Sequence, residues 1–210
     1  MTILDNPMSL PLSPVTLRRI FLLLIREHYS NPEQYGDYKE LLQGYKYSDT
    51  EPQRTIDIDL MHTYDPEKLK SEPSIYVGFQ PFAFAKRTVS NYAGHNEDES
   101  VKYYTMPTSG ILLVRHVSTS GDNALMLGEL TTNLLFGLHE LLLRKLPGLL
   151  GFDIASLSDP RLISKAPQRQ VMVDLACKID FNYALSVNEE SHRLKKIVFV
   201  YETDDGTTVE

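Results

Sequence analysis

Asp57 and Asp59 are the two side chains of this sequence best spaced for chemistry. They alternate with Ile56, Ile58 and Leu60, so a strand over Arg54–Met61 sets both carboxylates on one face, roughly 7 Å apart. That spacing can hold a hard cation or divide acid and base roles between two carboxylates. The plainer account is the solvent face of a half-buried strand, with Arg54 and Lys86 as counter-charges. His62, His95, His116, His139 and His192 fall in different elements, and no two stand at a metal-ligand spacing. Cys177, the only cysteine, sits on the apolar side of an alternating run. There it reads as a small core residue, because a reactive thiolate wants an electropositive, partly exposed setting. Tyr35, Tyr38, Tyr45 and Tyr47 interleave with Lys39 and Lys46, a pattern able to stack bases. Glu33, Asp37, Glu40, Asp49 and Glu51 among them favour a packed tyrosine loop instead.

The sequence lacks a Gly-x-Ser-x-Gly elbow, a Walker loop, the dinucleotide-binding glycines and His-Glu-x-x-His. Gly148-Leu149-Leu150-Gly151 follows a helix and precedes a strand, the reverse of the order a phosphate cradle requires. No catalytic residue, cofactor or metal is therefore expected, and the chain reads as an assembly component rather than an enzyme.

The elements that position these residues follow from periodicity and punctuation. Met1 to Ser13 reads as an extended arm, since Pro7, Pro11 and Pro14 forbid an earlier helix while Ile3, Leu4, Met8, Leu10 and Leu12 give it apolar groups to bury. Ser13-Pro14 is a hydroxyl cap followed by a first-turn proline, opening a helix to about Tyr29. Residues 30–53 form a polar, tyrosine-rich loop. Strands are predicted at Arg54–Met61, Ser74–Phe79, Ala85–Asn91 and Gly110–Val117, with a long polar loop over residues 92–107. Ser120-Gly121-Asp122 precedes a leucine-rich helix from Asn123 to Leu146, closed by Pro147-Gly148, with Leu127, Leu130, Leu134, Leu138, Leu141 and Leu142 as its core stripe. A strand at Phe152–Leu157 follows. The chain closes with a long hairpin, Val171–Tyr183 returning over Leu194–Tyr201, and residues 202–210 form a flexible acidic tail. This order predicts an α+β fold: one domain over residues 14–201 with a mostly antiparallel sheet, flanked by an N-terminal helix and one long central helix.

Composition agrees with a folded domain. Apolar residues make up 42% and charged ones 23% of 210, enough to bury a core without staples. A net charge of −7 disfavours a general grip on nucleic acid, which needs clustered cations, yet it suits a wall past which DNA must slide. The run Ile20–Ile25 is too short for an export signal or a bilayer span and meets Arg26 and Glu27. A soluble protein assembled in a reducing cytoplasm is expected.

The whole pattern resembles the tail-terminator and related neck proteins of tailed bacteriophages. The matching features are the opening helix, the strand Ser74-Ile75-Tyr76-Val77-Gly78 after a proline, a strand leading into a long leucine-rich helix, and a closing pair of long strands. The resemblance spans Pro14 to Tyr201 and implies a ring, typically of six, that sits on the last tail-tube ring and ends tube growth. Its implied partners are further copies of itself, the tail-tube protein, the head-tail connector or stopper, the tail sheath in a contractile particle, and DNA passing without specific binding. No membrane is involved, and the implied location is the virion neck, assembled in the host cytoplasm. Residues 30–53 and 92–107 exceed compact members of that class and fit contacts with neighbours.

A closed ring needs two different adhesive patches per subunit. Leu22, Leu23 and Ile25 on the first helix, and Phe136 with Leu143 on the second, are the candidates. Asp57, Asp59, Glu97, Asp98 and Glu99 are candidate channel-facing acids. Three readings compete: a head-completion, stopper or baseplate ring; a small metal-dependent hydrolase using Asp57, Asp59 and His62 or His116; and a monomeric binding module with a single apolar patch.

Overall fold

The computed structural model describes residues 12–31, 44–50, 53–69, 73–84, 92–96, 101–164, 166, 168–188, 201–202 and 208–209. The elements are α1 (Pro14–Ser30), β1 (Asp57–Leu60), β2 (Ser74–Phe79), β3 (Ala83–Phe84), β4 (Tyr92–Asn96), β5 (Val101–Ser118), α2 (Gly121–Lys145), β6 (Leu149–Leu157), β7 (Arg161–Leu162), β8 (Val171–Asn188), β9 (Tyr201–Glu202) and β10 (Thr208–Val209). The fold is α+β, with both helices lying on a sheet of eight strands whose main order is β1-β2-β5-β8-β6. Only the β1–β2 pair is parallel; every other pair in the sheet is antiparallel.

The start of α1 follows the local chemistry, whereas Ser120, expected to cap α2, makes no side-chain capping bond. The Ser13 side chain accepts from the Thr16 backbone N–H at 3.1 Å, and Pro14 occupies the first turn, where its missing donor costs nothing. From α1, Leu17, Ile20, Phe21, Leu22, Ile25, His28 and Tyr29 are buried. Leu12 is buried as well, so the inner end of the N-terminal arm is anchored in the core. The second helix stops at Pro147-Gly148, where Gly148 takes φ +94, a left-handed conformation that glycine adopts without steric cost.

The core lies between the helices and one face of the sheet. Ile58, Ile75, Val77, Leu112, Val114, Leu175, Cys177, Ile179, Phe181 and Phe152 meet α1 and α2 there. The α2 stripe is rotated slightly from the predicted one. Ala124, Leu127, Gly128, Leu130, Thr131, Leu135 and Leu142 are buried, while Leu134, Leu138 and Leu141 are half-buried. Gly128 marks the closest approach to the sheet, because a Cβ there would come 2.8 Å from a Leu157 methyl and 3.2 Å from a Val173 methyl. The opposite face is capped at one end only, by a small cluster around Leu69, Tyr76 and Val117.

Where a long polar loop is expected over 92–107, residues 92–96 and 101–107 are instead sheet. β4 pairs with β5, and β5 pairs with β8 from Val101 to Ser118. Val101, Tyr103, Tyr104 and Thr105 favour strands by residue type. Pro107 is tolerated in mid-strand because β4 pairs only up to Tyr104 and β3 only from Thr108, so among the described residues β5 has a single neighbour there.

The first strand of the expected closing hairpin is β8, which lies between β5 on one edge and β6 and β7 on the other over Val171–Phe181 and runs on beside β5 to Asn188. Tyr201 pairs with Val209, so the acidic tail contributes a short antiparallel ladder. Residues 194–200, and the strand expected at Ala85–Asn91, lie outside the described residues.

A buried polar relay ties both helices to the sheet. The hydroxyls of Tyr29 and Thr131 lie 3.2 Å apart, Thr131 Oγ1 lies 2.9 Å from His116 Nε2, and His116 Nδ1 is 3.3 Å from the Val173 carbonyl. One direction satisfies the chain: Tyr29 donates to Thr131, Thr131 to Nε2, and Nδ1–H to the carbonyl. Thr131→Val, equal in size, leaves the buried His116 Nε2 without its partner, while Tyr29 can still donate to the Leu127 carbonyl at 3.3 Å. It is expected to destabilise by about 1–3 kcal/mol in urea melts. Thr132→Val, which is half-buried and bonds only the Gly128 carbonyl, should stay within about 0.5 kcal/mol. Burial also lowers the pKa of His28 and of His116 from 6.5 to about 4. The unfolded chain therefore binds more protons than the fold between these values. Stability should be full above about pH 6.5 and fall as pH drops towards 4, by up to about 3 kcal/mol per histidine; melts at stepped pH read this directly.

Candidate functional site

The charged side chains gather on the sheet face away from the helices. Asp57 and Asp59 share that face, with Ile58 buried between them, but each is engaged. Arg54 meets the Asp57 carboxylate at 3.1 Å. Asp59 accepts from the Leu60 backbone N–H at 2.7 Å and lies 3.9 Å from Arg26. Arg26 reaches from α1 to the sheet edge, donating Nε and Nη2 to the Ile58 carbonyl at 3.0 and 2.8 Å. It also lies over the Tyr47 ring at 5.1 Å, which Arg54 covers at 5.4 Å. One tyrosine thus holds two guanidiniums, and between them they close the outer edge of β1 at Ile58.

A second cluster sits further along the same face. Arg115 forks onto Asp174 at 2.8 and 3.0 Å, Arg161 donates to the same carboxylate at 2.7 Å, and Arg115 lies 4.9 Å from the Tyr64 ring centre. The hydrogen bond and charge of Asp174 raise the hold of Arg115 on its proton, against the opposing effect of burial. Two cations on one carboxylate fix β5, β7 and β8 in register.

The hydrolase constellation is not brought together. His116 is fully buried on the helix side of the sheet, while the two aspartates lie on the other, and His62 is exposed. Cys177 is buried, and desolvation pushes its thiol up to about 12. Among the described residues, no group of three or more His, Cys, Asp or Glu side chains is placed to hold a metal ion, and no helix is long and apolar enough to cross a membrane. Glu97, Asp98 and Glu99 lie outside the described residues.

The proposed contact residues divide. Leu22 and Ile25 are core, 7% and 0% exposed, and so drop out as subunit contacts; α1 is apolar on several sides because it packs against the sheet, α2 and Leu12 within one chain. Leu23 and Leu143 are half-buried. Phe136 is 75% exposed and overhangs a groove of about 330 Å³ lined by Leu135, Phe136, His139, Phe152, Asp153 and Ile154. β6 forms the floor of that groove and is the last strand of the sheet.

Sequence reasoning missed Arg26, Arg115 and Asp174, each of which works through partners 32 or 59 residues away. The one local signal was a charge placed inside an otherwise apolar stretch, as Arg26 and Arg115 both are. No family model matches the chain, and a search of curated proteins finds no relative.

Arg26→Ala should destabilise by about 1.5–3 kcal/mol in urea melts, since two charge-assisted hydrogen bonds to a backbone acceptor are lost. Arg26→Lys should recover only part of this, because an ammonium cannot fork onto the carbonyl while stacking on Tyr47.

Proposed function

We propose that this protein is a ring-forming structural subunit, six to a ring, in the neck of a tailed bacteriophage. There it ends tail-tube polymerisation and presents a surface to the head connector. The reading starts from the resemblance in element order between Pro14 and Tyr201, and the observation that carries it is the length of the β5–β8 ladder. Among the pairs whose burial is described, Thr108–Phe181 is the last with both side chains buried. Pro107–Asn182 and Met106–Tyr183 are half-buried, and five more pairs run on to Val101–Asn188, with β4 alongside.

Beyond Pro107 the strands β4, β5 and β8 run together, and a three-stranded ribbon, marginal by itself, is what a neighbouring subunit or ring would stabilise. In the sequence Glu97, Asp98 and Glu99 stand between β4 and β5, and the reading assigns these acids to the DNA channel. In a ring that admits DNA, such acids, with an overall charge of −7, repel the backbone and let it slide. A head-completion or stopper ring uses the same features on the other side of the joint.

Tail lengths measured by negative-stain microscopy, in a lysate of phage lacking this protein, test the reading. Overlong or ragged headless tails are expected. Tails of normal length that fail to join heads would move the protein to the head side of the neck, and intact infectious particles would overturn the reading.

A further inference from the structure

Each helix carries one strongly exposed apolar side chain, and the two stand in opposite electrostatic settings. Val15, 65% exposed in the first turn of α1, shares a face with Arg18 and Arg19, three and four residues on. Half-buried Leu23 continues the row from Val15 and Arg19 by one more turn. Between Pro14 and Arg26 the helix contains no acid. Neither Arg18 nor Arg19 makes an ion pair among the described residues.

Phe136, 75% exposed, is set among acids instead. Glu140 lies one turn on along α2 and Glu129 two turns back, both exposed. Asp153, exposed as well, borders the groove that Phe136 overhangs. Its cross-strand neighbour Lys178 is turned to Asp180, at 3.3 Å. None of Glu129, Glu140 and Asp153 makes an ion pair among the described residues. Arg144, one turn beyond Glu140, ends that row with a cation.

The two patches belong to opposite ends of the sheet. α1 packs on β1 and β2, whereas α2 packs on β5, β8 and β6, and β1 and β6 are the outermost strands of the main order. A contact between unlike patches is head-to-tail. It leaves one patch of each kind unused, which further copies take up until the series closes. Joining through the sheet itself is hindered, because Arg26 already holds the outward Ile58 carbonyl of β1.

We infer that this chain associates with further copies of itself head to tail, the Val15, Arg18 and Arg19 face of α1 seating on the Phe136 groove of the next copy. Val15 and Leu23 cover the ring and the apolar groove, while the arginines meet Glu140 and Asp153. The apolar contact supplies most of the affinity, and the charges select the orientation. Closure into a ring rests on the neck reading; the contact itself does not.

Sedimentation velocity of the purified full chain over a concentration series tests this, together with paired charge reversals. Species larger than a monomer are expected at about 0.05 M salt and should recede at about 0.5 M, where exposed charges are screened. Arg18→Glu with Arg19→Glu makes a chain acidic on both faces, and Glu140→Lys with Asp153→Lys makes one basic on both. Each alone should associate at least about a hundredfold more weakly, because like charges then oppose each other. Mixed in equal amounts, the two should assemble again, each supplying the face that the other lacks. A parent chain that stays monomeric overturns the inference, as does undiminished association of either variant or a mixture that remains monomeric. Overlong tails without the protein, with association indifferent to the reversals, would keep the neck reading and remove this contact. Association as expected, with intact particles formed in the protein's absence, would do the reverse.

Discussion

Eighteen consecutive residue pairs join β5 to β8, from Val101–Asn188 to Ser118–Val171, without a shift of register. Almost everything else is placed by reference to that ladder. β2, β3 and β4 share the other edge of β5, while β6 and β7 share the other edge of β8. Because side chains alternate along a strand, one unbroken register decides for both strands which residues meet the helices and which face away. Val114, His116, Val173, Leu175 and Cys177 are inside together, and Arg115 and Asp174 are outside together, as consequences of the same pairing. A slip of one residue would bury the Arg115–Asp174 ion pair and expose the core.

The helices are held to that sheet by apolar contact and, at one point, by specificity. Phe21 stacks on Phe152 with ring centres 5.4 Å apart, and Leu127 and Leu135 fill the space between α2 and the strands. Such contacts tolerate small rotations of a helix. The Tyr29–Thr131–His116 relay does not, because each hydrogen bond needs its partner within a few tenths of an ångström. It joins α1, α2 and β5 at one buried place and so selects a single rotation for both helices. The cost is a histidine kept neutral in the core.

The edges of the sheet explain much of the surface. Sealing β1 with an arginine from α1 removes one site of unwanted pairing, and Tyr47 holds that arginine in position. The bulges in β6, between Leu149 and Gly151 and between Ile154 and Ser156, bend the other edge without closing it. The acids Asp57 and Asp59, the best chemical candidates in the sequence, are occupied at the sealed edge. Their charge is taken by Arg54, Arg26 and a backbone N–H, which accounts for their spacing without any ligand.

Local chemistry was enough to place several elements. The Ser13-Pro14 start of α1, the Pro147-Gly148 stop of α2, the alternation that makes Ile58 an inside residue, and the α+β order all follow from interactions among residues a few positions apart. Cys177 as a core residue follows from the same alternation. The partner of each strand was settled only in three dimensions. Residues 101–107 look like a loop because they are polar, yet they pair with β8 along their whole length, a partner that no local pattern announces. Leu22 and Ile25 look like contact residues until the other packing partners of α1 are counted. Hydrophobic periodicity reports that a side chain is covered, without saying by what, and pairing between strands 59 or 71 residues apart leaves no local trace. Caps, turns and alternation were therefore written in the sequence, while edges, neighbours and the groove under Phe136 were decided by tertiary structure.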